Sequence, residues 1–312
     1  MTKNNLIKWF KNISKNDTFS VGGKAANLGE MFSKFSIPDG FCITVNAFEK
    51  FLEESKIREK IASNIKKIDV NDLNKTAHIS KDIKKLILKS KMPKEIEKSI
   101  IDNYNKINGF VAVRSSAVAE DLEEASFAGQ QATFLNVNGN SKLIKSIKEC
   151  WASFYTSRAI VYRGRNKFSH EPKMAVIVQK MIDAKKSGVV FTANPVTKNR
   201  NEMVIESIFG LGEAIVSGIV TPDNFIIDKK DKKITNETVN EKNIMIIRQN
   251  GKNKTIKLDS KKANEKTLNE KELNDLIAES IKIEKYYKKP MDVEWAIDDK
   301  LYILQARPIT TL

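Results

Sequence analysis

Apolar and polar positions alternate, cluster and break along this chain in ways that predict most of its elements. From Lys24 to Phe35 the residues Ala25, Leu28, Met31, Phe32 and Phe35 share one stripe at helical spacing, which predicts an amphipathic helix. Just before it, Gly22-Gly23 is expected to break a short extended segment. Pro38-Asp39-Gly40 marks a turn, Phe41 to Val45 reads as a strand, and Asn46 stands where it would cap the next helix. Residues 46 to about 108 read as successive helices, a new one starting at Pro93. At Gly109 the pattern changes. Phe110 to Arg114 reads as a strand, with Val111 and Val113 on one face and Ala112 and Arg114 on the other, followed by a loop and a second strand. Leu143 to Tyr162 reads as one long helix, its Trp151, Phe154 and Tyr155 destined for the core. Lys173 to Ile182 and the run from Ser187 read as buried strands on either side of a hinge at Met181 to Ala184. Lys229 to Lys266 reads as a strand-and-turn meander, and Glu270 to Tyr287 as an amphipathic helix.

The last stretch, Asp292 to Pro308, has the most informative pattern. It reads as two strands joined by a two-residue turn at Asp298-Asp299 or Asp299-Lys300. Period-two alternation then places Val293, Trp295, Ile297, Tyr302, Leu304 and Ala306 on one apolar face. The other face carries Asp292, Glu294, Gln305 and Arg307 away from the turn, and Ala296, Leu301 and Ile303 near it. Carboxylate and amide oxygens suit a hard cation such as magnesium, and a guanidinium suits phosphate. The plainer reading is a surface hairpin with a weak Glu–Arg pair.

Composition narrows the classes. At 312 residues the chain can bury a large core and is expected to hold two lobes. No apolar run approaches the roughly 20 residues of a membrane span, and the N-terminus does not resemble a signal peptide, so a cytosolic protein without a membrane partner is expected. Two distant cysteines, Cys42 and Cys150, support neither a disulfide framework nor a zinc cluster. The net charge of +15 is spread along helix faces and lacks the interleaved aromatics of a nucleic-acid platform, so a nucleic-acid partner is not expected.

Two further segments carry candidate chemistry. Lys24 stands in the first turn of a helix, where it opposes the dipole; a bound phosphate would account for it. Arg114 is presented at a strand end beside Ser115-Ser116, and an acidic loop follows that ends in small residues up to Gly129, where a ligand can approach the backbone closely.

Taken in order, VGGKAANLGEM, VAVRSSAVAEDLEEASFAGQ, ESIFGLGEAIVSGIVTPDNF and DVEWAIDDKLYILQARP closely resemble the ATP-binding module of the dikinase family, from about Ser20 to the C-terminus. That family includes phosphoenolpyruvate synthase, pyruvate phosphate dikinase, glucan water dikinases and rifampin phosphotransferase. The resemblance implies an α+β, two-lobed ATP-grasp-type nucleotide-binding fold, with mixed and antiparallel sheets and flanking helices. Its lobes would be residues 1–182, with a helical insert at about 46–108, and residues 183–312. It further implies that Lys24, Arg114 and Arg307 contact ATP phosphates and act catalytically, and that Gly129 and Thr133 belong to a phosphate-covering loop and the strand after it. Gln179 would lie at the adenine end, Glu206 would line the nucleotide cleft with Glu213 as a further candidate, and Glu294 and Gln305 would ligate Mg2+ as cofactor, with ATP as substrate.

In the family the pyrophosphoryl group passes to a histidine in a Gly-Gly-rich context on another domain. Neither His78 nor His170 has that context, so a partner chain or further domain bearing the histidine is expected. The expected activity is that of a phosphoenolpyruvate-synthase-like phosphotransferase. A rifampin-phosphotransferase-like module, or a non-catalytic ATP-sensing module, is the alternative.

Overall fold

The computed structural model describes residues 5–118, 132–166, 168–171, 173–310 and 312. The chain divides into two compact units, residues 1–33 with 39–181 and residues 34–38 with 182–312.

The first unit opens with β1 (Ile7–Trp9) and α1 (Thr18–Phe32), then β2 (Gly40–Ile43). Four helices follow: α2 (Val45–Glu54), α3 (Arg58–Ile65), α4 (Leu73–Lys89) and α5 (Lys94–Ile107). It closes with β3 (Val111–Ala117), β4 (Thr133–Val137), α6 (Asn140–Ser153), α7 (Ser157–Arg165) and β5 (Met174–Lys180). The strands form one antiparallel sheet in the order β1-β2-β5-β3-β4. Phe41, Ile43, Val111, Val113, Val176 and Val178 turn one face of it into a core shared with the helices. Within that core Trp151 stacks on Phe48, 4.9 Å between ring centroids and 7° from parallel. The other face carries Cys42, Ala112, Arg114, Ser116, Ile177 and Gln179 and packs against α1. Both cysteines are fully buried and sit in this unit, and burial pushes both thiols well above the usual range.

Three local expectations need correction. Thr18 to Val21 is helical rather than extended, and Gly22 alone breaks the helix, at φ 76° and ψ 165°. The strand after the Pro38 turn stops at Ile43, so Thr44 takes the N-cap position of α2 that Asn46 was expected to fill. The single helix expected over 143–162 is two, because the Thr156 side chain accepts from Ala159 N–H at 3.3 Å and starts a new helix. Hydrophobic periodicity ran across that break because both helices bury residues in the same core.

The second unit contains β6 (Lys186–Phe191), β7 (Glu202–Phe209), α8 (Glu213–Val216), β8 (Asp223–Asp228) and β9 (Lys233–Thr238). The hairpin β10 (Ile244–Gln249) and β11 (Lys252–Lys257) leads to α9 (Ser260–Ala263) and α10 (Glu270–Tyr287). Last come β12 (Met291–Ile297) and β13 (Leu301–Pro308). Six strands form an antiparallel sheet ordered β13-β12-β6-β7-β8-β9. A reciprocal capping box starts α10, in which Asn269 accepts from Glu272 N–H and Glu272 accepts from Asn269 N–H, each at 2.9 Å. The 34–38 segment belongs here: Ser36 O accepts from Ile303 N–H at 2.9 Å, and Phe35 and Lys34 lie against the Tyr286 ring.

A buried polar cluster ties the meander to the sheet. Asp223 and Lys242 form an ion pair with no exposed side-chain surface. Asp223 also accepts from Asn240 N–H at 3.0 Å and from the Thr267 N–H and hydroxyl, each at 2.8 Å. Four donors on one carboxylate are what a buried charge requires. Among the described residues, no helix is long and apolar enough to cross a membrane.

Candidate functional site

In the first unit the sheet face opposite the helical core gathers the expected site residues. Arg114 on β3 stands directly across from Thr133 on β4 and from Ile177 on β5. Gln179 on β5 is paired with Ala112, so it shares that face with Arg114, two pairs further along the strands. Arg114 is 9% exposed and Gln179 3%. Among the described residues the Gln179 Nε2 is buried without a hydrogen-bond partner. Lys24 is half-buried on α1, two residues past the Gly22 break. Gly129 lies outside the described residues.

In the second unit the hairpin resolves the register. Asp292 pairs with Arg307 and Glu294 with Gln305, so all four share one face, as expected from the alternation. Beyond them a β-bulge intervenes: Trp295 pairs with Ile303, leaving Leu304 unopposed. The loop holds three residues, Asp298 to Lys300, instead of two. One extra residue reverses parity, so Ile303, fully buried, takes the core side with Trp295 and Ile297, and the expected apolar places of Tyr302 and Leu304 are not kept.

Glu206 joins the polar face through the sheet. It pairs with Val189 on β6, which pairs with Glu294 on β12. Asp292 accepts a hydrogen bond from Arg307 Nε at 2.9 Å, and Arg307 Nη2 makes an ion-pair contact with the same oxygen at 2.8 Å. Burial pushes the Asp292 carboxyl above the usual carboxylate range; Arg307 draws it back, and the charge of Glu294 adds to the rise. Glu206 is likewise raised, by burial first and by Asp292 second. Three acids thus crowd one strip of sheet with an arginine clamped at its edge. Among the described residues, no three His, Cys, Asp or Glu side chains are gathered as a complete metal cage. Two protein oxygens, from Glu294 and Gln305, fit a cation that takes its remaining ligands from water and phosphate, the habit of magnesium.

Sequence reasoning left Asp292 without a role; the structure shows it as the partner of Arg307. It also passed over Asp223 and Lys242, for which only the charged residues themselves were a signal. Neither histidine is in a phosphoacceptor setting: His78 is exposed on α4. His170 accepts from Arg163 Nε at 3.4 Å, and burial, then the Arg163 charge, lower its pKa.

The comparisons with known proteins bear on the whole chain. A probable phosphoenolpyruvate synthase of Archaeoglobus fulgidus is 45% identical over 98% of this chain and 42% of its own length. The phosphoenolpyruvate synthase of Pyrococcus furiosus is 40% identical over 98% and 44%, and the rifampicin phosphotransferase of Bacillus cereus 37% identical over 97% and 36%. The chain therefore spans less than half the length of each of these curated relatives. A solved D-alanine–D-alanine ligase from Helicobacter pylori overlays 69% of this chain and 46% of its own, at 11% identity and a TM-score of 0.28, too slight a likeness to bear on the fold. The family described as the pyruvate phosphate dikinase AMP/ATP-binding domain matches residues 18–312, and this chain belongs to it.

Proposed function

We propose that the chain binds Mg-ATP through these residues and is the nucleotide-binding part of a phosphoenolpyruvate-synthase-like dikinase. The observation that carries it is the shared face of Asp292, Glu294, Gln305, Arg307 and Glu206 in a chain of this family. The antiparallel sheets with flanking helices fit the ATP-grasp-type, two-lobed fold that the motifs imply. Phosphoryl transfer is mostly positioning and charge neutralisation, and each residue has work of that kind. Lys24 and Arg114 neutralise phosphate oxygens. Arg307, held against Asp292, brings a fixed guanidinium charge to phosphate. Gln179 turns its unpaired amide toward a purine edge. Glu294 and Gln305 hold the cation, with Glu206 and Asp292 adding negative charge beside it. A bound magnesium ion supplies charge neutralisation at the phosphates. Gly129 and Thr133 belong to the phosphate-covering segment, and the histidine that receives the pyrophosphoryl group is contributed by another domain or chain.

Mixing the protein with Mg-ATP and a histidine-bearing domain from a phosphoenolpyruvate synthase should release AMP and label that histidine. No ATP affinity and no AMP would overturn the reading. A rifamycin acceptor is the second reading, supported by the Bacillus cereus relative. The same assay with a rifampicin phosphotransferase histidine domain separates the two by which partner is labelled.

A further inference from the structure

We propose that Ser116 is a positioning residue of this site: its Oγ pins the Gly22–Ala25 turn to the end of β3 and so sets where Lys24 meets phosphate. The proposal rests on the reading of Lys24 as a phosphate ligand and adds a residue that acts through it.

The geometry starts at Gly22. It is the non-helical residue from which the long part of α1 begins, which makes it the N-cap and Gly23, Lys24 and Ala25 the first three helical positions. An N-cap side chain ordinarily accepts from the second or third of those amides. Gly22 has no side chain to do so. Ser116 supplies the missing acceptor from a different element: its Oγ accepts from Ala25 N–H at 3.2 Å, in a fully buried contact 91 residues away in sequence. The fit is mutual. A Cβ on Gly22 would fall 2.3 Å from Ser116 O and 2.5 Å from Ser116 Oγ, and the positive φ of Gly22 independently favours glycine. The turn therefore rests directly on Ser116.

Lys24 sits between these two fixed points. Arg114 lies two residues before Ser116 on the same strand and the same face. Both cations are thus referenced to one short piece of β3, Arg114 by its own backbone and Lys24 through the Ser116 hydroxyl. A lysine in the first turn of a helix is held against the dipole; a rigid anchor keeps its backbone in place while the ammonium reaches for an anion. A serine that merely filled space there would not link the two.

The experiment measures ATP and adenosine affinity, with magnesium, for the wild type, Ser116→Ala, Lys24→Ala and the double variant. Ser116→Ala should weaken ATP about fivefold, the size of a lost helix cap, and leave adenosine within twofold. Lys24→Ala should cost less in the Ser116→Ala background than in the wild type. Equal losses for ATP and adenosine, or additive effects, would overturn the proposal. A wild type that binds ATP no better than adenosine would defeat the phosphate reading of Lys24 and this proposal together, whereas an ATP preference untouched by Ser116→Ala defeats this one alone. Should Ser116→Ala fold poorly, hydrogen exchange on the wild type decides: the Ala25 amide should exchange slowly without nucleotide, and fast exchange overturns the anchor.

Discussion

At Glu206 two effects add, since burial and the nearby charge of Asp292 both favour the protonated carboxyl. The folded-state pKa is therefore above the unfolded one. Protonation then contributes stability that is complete below the unfolded value, about 4 for a glutamate, and is lost as pH rises through the folded value. Ionising this carboxyl therefore works against the ligand-free fold. Glu206→Gln should melt on the order of 2 °C above the wild type at pH 7, with the gap closing near pH 4. Calorimetry at the two pH values checks this, and a variant that melts lower at pH 7 would refute it. The same substitution should weaken Mg-ATP binding, the usual exchange of stability against function.

The hairpin shows how far an element can be read from sequence. That Asp292, Glu294, Gln305 and Arg307 share one face follows from alternation alone, because the strands there are regular; which of them stand opposite each other depends on the turn. Nearer the turn, alternation failed at one residue. Nothing in the composition of DDK says that the loop takes three residues or that Leu304 is left out of the ladder, since Leu304 is as apolar as its neighbours. The break between α6 and α7 was hidden likewise, beneath a continuous run of core residues. The Ser116–Ala25 hydrogen bond joins residues 91 apart, and no local pattern encodes it. The residue types of the site were legible because charge and amide groups are conspicuous on a strand; the contacts that aim them were not. Bulges near sites re-aim side chains. Deleting Leu304 keeps Glu294 opposite Gln305 and Trp295 opposite Ile303, so the hairpin should still form, with Mg-ATP affinity reduced about tenfold by altered twist, or ~1.4 kcal/mol. Titration calorimetry measures it; unchanged affinity would show the bulge to be irrelevant to the site.

On the scale of the whole chain, the two units differ in charge. Sequence positions of the first unit carry 30 Lys and Arg against 19 Asp and Glu, net +11, and those of the second 24 against 20, net +4. The excess positive charge therefore belongs to the first unit, which is also the one with the helical insert. The second unit contains the fully buried Asp223–Lys242 pair. Removing one partner of such a pair strands the other. Lys242→Met should destabilise the second unit by about 3–5 kcal/mol, while replacing the exposed Lys98 of the Lys98–Asp102 pair should change little. Urea melts of the two variants test the contrast, and similar midpoints would refute it. The second unit also takes residues 34–38 from within the span of the first, so the chain passes between the units more than once and neither is a simple cut of the sequence.

The buried cysteines give a way to watch one unit at a time. Both thiols lie in the first unit, fully covered and held in the unreactive protonated form. A thiol reagent added to the native protein can react only when that unit opens, so its uptake keeps time for the first unit. The second unit contains no cysteine and stays silent in the same assay. A cysteine introduced at any exposed position of the second unit would react at once, which makes this chain suited to site-specific dye attachment without removing either native thiol.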